Sequence, residues 1–130
     1  MIKIVFLCLT PCIHCLLQFR SPEEYRYDPE SEKVDVYSLG NIFYALIMKE
    51  YPFEHDAGKK KAQQLIMEGK RPPISDRYTN SSDPFTQALI KAINMCWTHH
   101  PEQRASARDV EQYLDAELTR LGVSGKAATE

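Results

Sequence analysis

The sequence predicts an all-α fold of roughly five helices around one buried central helix. Three observations carry that prediction. Helix starts and stops recur along the chain from Arg20 onward. The segment from Val34 to Met48 is apolar on all sides rather than along one stripe, the pattern of a helix buried through most of its length. No stretch after Arg20 shows the apolar–polar alternation of a half-buried strand.

Composition bounds the possibilities. The 130 residues suffice for one domain with a modest core. Hydrophobic residues at 43% and charged residues at 26% are ordinary for a soluble globular chain. A net charge of -2 supplies no electrostatic footprint for nucleic acid or an acidic membrane surface. Cys8, Cys12 and Cys15 cluster while Cys96 stands far away, which is not a secreted disulfide framework. A reducing, cytoplasmic location follows as the expectation. Cys8, Cys12, His14 and Cys15 also invite a zinc reading. The stretch has no glycine to turn the ligands inward and is filled with Leu, Ile, Val and Phe, so no metal is expected.

In chain order, residues 1–19 form an apolar segment with no acidic residue and no glycine. Its readings are a signal peptide or short anchor, a buried strand followed by a helix, or sequence foreign to the fold. Pro11, His14 and Gln18 interrupt it, which argues against a spanning helix. Membrane contact, if there is any, is confined to this segment.

Ser21-Pro22-Glu23-Glu24 then offers a capping serine, a proline at the first helical position and a glutamate three residues on, which starts a short helix. The central helix follows over Val34–Met48. Tyr51-Pro52-Phe53 leads into a loop, and Asp56 caps a helix running to about Met67 and stopping at Gly69. The Lys59-Lys60-Lys61 run reads as a solvated helix face.

Arg71-Pro72-Pro73 reads as extended surface chain. Asp83-Pro84 opens the next helix, with Phe85, Ala88, Leu89, Ala92, Ile93 and Cys96 along its apolar side. His99 and His100 fall in the loop that ends it and read as solvated. Ser106 caps the last helix, whose stripe is Ala107, Val110, Leu114, Leu118 and Leu121. Residues 122–130 read as a disordered tail.

The order of these motifs resembles the distal C-terminal lobe of the eukaryotic-type protein kinase catalytic domain. Arg20-Ser21-Pro22-Glu23 resembles the Ala-Pro-Glu element that closes the activation segment. Asp35-Val36-Tyr37-Ser38-Leu39-Gly40 resembles the Asp-x-Trp-Ser-x-Gly opening of the family's central helix. Tyr51-Pro52-Phe53 and Gly69-Lys70-Arg71-Pro72-Pro73 resemble the Pro-Phe and Gly-x-Arg-Pro elements that come next. Cys96-Trp97, Pro101, Arg104 and Ser106-Ala107 resemble the closing Cys-Trp, Pro-x-x-Arg-Pro-Ser-Ala signature, with Ala105 in place of proline. The resemblance covers residues 20–121.

It implies a structural ion pair between Glu23 and Arg104, and a role for Asp35 in anchoring the catalytic loop. It also implies a substrate-side segment formed by Arg20, Ser21, Pro22 and Glu24. The parent activity would be ATP-dependent phosphorylation of protein Ser/Thr or Tyr, with ATP and Mg as cofactors and a protein as substrate or partner. Phosphoryl transfer uses a Gly-rich loop, a strand lysine, a catalytic-loop aspartate and asparagine, and a metal-binding aspartate. Family members carry these ahead of the Ala-Pro-Glu element, where this sequence has only its apolar segment. The chain alone is therefore expected to hold no cofactor and to be catalytically inactive, as a truncated kinase domain. A non-catalytic kinase-like interaction module and a small membrane-attached protein are the alternatives.

Overall fold

The computed structural model describes residues 17–55 and 59–123. Among these residues a 3-10 turn, Leu17–Phe19, leads into six helices: α1 (Pro22–Arg26), α2 (Lys33–Met48), α3 (Lys59–Met67), α4 (Asp76–Thr79), α5 (Pro84–Cys96) and α6 (Ala107–Arg120). No strand occurs among the described residues. The class is all-α, with α2 at the centre. The Cys8, Cys12, His14 and Cys15 group, the Asp56 cap and the end of the tail lie outside the described residues.

Local chemistry accounts for the boundaries. The Glu24 carboxylate accepts both the backbone N–H of Ser21, at 2.6 Å, and its hydroxyl, at 2.8 Å, fastening the start of α1. Asp83 accepts the Thr86 N–H at 2.8 Å at the head of α5, and Ser106 accepts the Asp109 N–H at 3.1 Å at the head of α6. Gly69 ends α3 in the left-handed region, where the Lys70 N–H reaches back to the Leu65 carbonyl at 2.8 Å. The short α4 has no counterpart in the sequence reading. Ser75 and Asp76 supply its start, but four residues show no periodicity.

The core is two clusters sharing Phe43 of α2. The first gathers Tyr37, Tyr44, Phe53, Ala62, Ile66, Ile93 and Trp97; the second gathers Val36, Ala92, Cys96 and Val110. The main helix contact is α2 against α5, and Gly40 makes it possible: a Cβ there would stand 2.7 Å from Cys96 Cβ and 2.9 Å from Trp97 Cδ1.

Three expectations from periodicity are corrected here. Of the α6 stripe only Val110 is buried, and Ala107 and Leu118 are exposed. The central helix is open along one stripe, with Ile42 48% and Leu46 40% exposed beside an exposed Asp35. Positions four and seven apart line up on one face of a helix, so Asp35, Ile42 and Leu46 form that stripe. Phe85 is likewise exposed, because it sits in the first turn of α5, outside the contact that buries Ala88, Ala92, Ile93 and Cys96.

Candidate functional site

The polar groups that converge on α2 come from four separate parts of the chain. Glu23 is carried by α1 and Arg104 by the turn between α5 and α6, and both side chains are buried. Arg104 Nη1 donates to Glu23 Oε1 at 2.6 Å and Nη2 donates to Oε2 at 3.1 Å, a two-pronged guanidinium–carboxylate pair. The remaining donors reach backbone carbonyls: Nη1 to Lys33 at 2.7 Å, Nη2 to His99 at 3.1 Å and Nε to Thr98 at 2.8 Å. The Lys33 ammonium in turn donates to the Arg104 carbonyl. Burial pushes the Glu23 carboxyl up, but the Arg104 hydrogen bond and charge, with bonds from the backbone and Ser21, bring it below its ordinary value.

Tyr37 lies between two guanidiniums. The Arg104 and Arg71 carbons each stand 5.1 Å from its ring centroid. Burial raises the Tyr37 hydroxyl to about 12 despite both positive charges. Arg71 is held by the Trp97 carbonyl, which accepts from Nε at 2.8 Å and Nη2 at 2.6 Å. Arg71 is therefore half-buried and Pro72 buried, correcting the reading of this stretch as surface chain. The guanidinium fork finds a carbonyl left free at the C-terminal end of α5.

A second relay runs through Asn41, buried in the middle of α2. Trp97 Nε1 donates to Asn41 Oδ1 at 3.0 Å, and Asn41 Nδ2 donates to the Phe19 carbonyl at 3.1 Å. Ser38 Oγ donates to that same carbonyl at 3.0 Å. The chain entering α1 is thus pinned to the central helix just before Arg20. Within the substrate-side segment, Arg20 is exposed, Ser21 and Pro22 are buried and Glu24 is half-buried. Asp35, in the first turn of α2, is exposed and receives no hydrogen bond from a described residue. The structure brings Glu23 and Arg104 together and leaves Asp35 apart from them.

The sequence reading missed Asn41, and it named Ser38 and Arg71 only within motifs, without their contacts. Asn41 left a signal, since a single amide amid Tyr37, Leu39, Ile42, Phe43, Tyr44 and Ala45 needs a buried partner. His99 also departs from its solvated reading. It is half-buried, its Nδ1 is buried without a hydrogen-bond partner, and its Nε2 lies 3.3 Å from Arg26 Nη1. Burial, and then the charges of Arg71 and Arg26, push the imidazole below its ordinary value.

Cys96 is a buried thiol raised to about 11 by burial, which makes it a packing residue rather than a nucleophile. Among the described residues no group of three or more His, Cys, Asp or Glu could hold a metal ion. The open groove between α5 and α6, lined by Ile90, Lys91, Asn94, Tyr113, Glu117 and Arg120, has no glycine-rich turn to cradle phosphates. Nor is any described helix long and apolar enough to cross a membrane.

A helical lobe with a central helix, tied by a carboxylate before it and a guanidinium after it, defines a class of protein. The sequence profile of the protein kinase domain matches residues 12–114. The chain belongs to the protein kinase domain family. It is 31% identical over 102 residues to the seven transmembrane domain-containing tyrosine-protein kinase 1 of Dictyostelium discoideum, covering 78% of this chain and 14% of that protein. It is 32% identical over 108 residues to the dual specificity protein kinase shkE of the same organism, covering 82% of this chain and 14% of that one. A leucine-rich repeat serine/threonine-protein kinase 1 of Caenorhabditis elegans is 30% identical over 107 residues, covering 79% of this chain and 4% of the relative. The chain thus spans a small share of the relatives it matches.

Proposed function

We propose that this chain supplies the substrate-docking floor of a protein kinase's C-terminal lobe and does not itself carry out phosphoryl transfer. The parent reaction is transfer of the γ-phosphoryl of ATP to a protein hydroxyl. The observation that carries the reading is the pinning of the chain around Arg20. Asn41 and Ser38 hold the Phe19 carbonyl on one side, and Arg104 holds Glu23 on the other. A segment fixed at both ends can present the exposed Arg20 to a bound protein in one geometry, while Glu24 holds the start of α1.

Asp35 would anchor the catalytic loop of a complete domain, to which its exposed carboxylate is free to accept hydrogen bonds. Glycines in this sequence number 5, none in a phosphate-cradling pattern, and the described residues offer no metal cluster. ATP and Mg would therefore bind elsewhere in a complete domain. The relatives' names span tyrosine, dual-specificity and serine/threonine kinases, and the acceptor is a protein hydroxyl of either kind. The partner is a protein, nucleic acid is not a ligand, and the location is cytoplasmic.

A second reading, a non-catalytic interaction module, draws on the exposure of Ile42 and Leu46. Two measurements separate these readings. The full chain, given ATP, Mg and a mixed Ser/Thr/Tyr peptide library, should incorporate no phosphate into peptide; incorporation would sink the claim of inactivity. A complete kinase domain carrying residues 20–121 of this chain in place of its own matching segment should phosphorylate peptides. A folded but dead chimera would instead favour the module.

A further inference from the structure

Among the described residues, three other than glycine adopt a left-handed backbone: Tyr27, Lys49 and Phe53. A bulky side chain is disfavoured there by contact between its Cβ and the backbone. Phe53 is compensated by burial in the core beside Tyr44 and Trp97, and Lys49 and Tyr27 close α2 and α1 with their backbones. The Tyr27 ring itself takes no part in that closure. Tyr27 occupies the position that ends α1, with φ 54° and ψ 34°, where glycine is the usual residue, and its side chain is 94% exposed.

The other tyrosines differ. Tyr37 and Tyr44 are buried, while Tyr25, Tyr51, Tyr78 and Tyr113 are half-buried. Residues 27–32 are all exposed and irregular, and this stretch carries Asp28, Glu30 and Glu32. The neighbouring Arg26 is tied to Asp28 at 2.9 Å, which leaves the surroundings of the phenol acidic. A site that transfers a phosphoryl group is lined with cations that neutralise the triphosphate, so it attracts an accessible acidic acceptor segment.

We propose that Tyr27 is a phosphorylation site, the acceptor for a tyrosine-directed protein kinase acting in trans with ATP. The Tyr27 phenolic oxygen bonds to the γ-phosphorus, the bond from that phosphorus to the β–γ bridging oxygen breaks, and ADP leaves. The phenolic proton passes to the kinase's base. The product carries roughly two added negative charges beside Asp28 and competes with it for Arg26.

The test treats the full chain with a purified tyrosine kinase catalytic domain, ATP and Mg, then maps the phosphopeptides by mass spectrometry. One phosphoryl group on Tyr27 is expected, absent from a Tyr27→Phe variant that melts like the parent. No incorporation, phosphate on another tyrosine or on Ser31 instead, or undiminished labelling of Tyr27→Phe would each overturn the assignment. A Tyr27→Gly variant checks the premise. It should melt no lower than the parent; a lower melting temperature would give the ring a structural role and remove the reason to assign it another.

Discussion

Arg104 has five N–H donors, and Glu23 together with the Lys33, Thr98 and His99 carbonyls accepts all of them. Removing the guanidinium strands a carboxylate and three carbonyls away from water. Arg104→Ala should therefore cost about 3–5 kcal/mol in a denaturant titration. Lysine cannot substitute, because a single ammonium reproduces neither the fork nor the spread of acceptors.

Acid acts on the same neighbourhood through two groups. His99 titrates below its ordinary 6.5 and Glu23 below its ordinary 4.5 when folded, so the unfolded chain binds each proton first. The histidine contribution is complete above 6.5 and is lost as pH falls from there through the folded value. The glutamate contribution is complete above 4.5 and is lost on further acidification. Melting temperature should therefore begin to fall just below neutral pH, and His99→Gln should remove that first decline while leaving the second. An unchanged first decline would place its origin at another group. At this scale the Glu23–Arg104 pair was legible, because acid and base types at motif positions are visible as letters. The carbonyls that complete it were not, since every residue has one and only the fold selects among them.

At the scale of elements, the contact between α2 and α5 turns on Gly40. A methyl group there would have to displace Cys96 Cβ or the Trp97 ring, both fixed in the core. Gly40→Ala should cost about 1–3 kcal/mol in thermal or chemical unfolding, despite alanine's better helix propensity. A stabilised variant would mean that the two helices can move apart freely. Helix starts were readable from capping letters, as at Ser21, Asp83 and Ser106. The four-residue α4 was not, because so short a turn carries no periodic signal. Phe85 was assigned to the apolar side of α5 because spacing identifies a face without showing how far along the helix its partner extends.

For the whole molecule, α2 divides into a side that holds the fold together and a side open to solvent. Ile42 and Leu46 lie on the open side, whereas Ile93 on α5 is buried against the opposite one. Ile42→Ser and Leu46→Ser should each change unfolding free energy by no more than about 0.5 kcal/mol, as for exposed positions generally. Ile93→Ala should cost about 2–5 kcal/mol. Equal losses at the two sets of positions would show that the open side is covered in solution. The all-apolar pattern of Val34–Met48 revealed a central helix but not its open stripe, because apolarity records what a surface prefers and not what covers it.

The letters alone determined the class, the order of the helices other than α4 and the family, and the resemblance to that family implied the Glu23–Arg104 pair. Each rests on local rules: capping chemistry, the period of the helix and motif residues in a set sequence. Only the tertiary structure decided that Asn41 and Ser38 pin the chain before Arg20, that Arg71 and Arg104 flank Tyr37, and that His99 is drawn from solvent. Those relations join groups distant along the chain, and their distances are set by how the helices pack, which no local rule encodes.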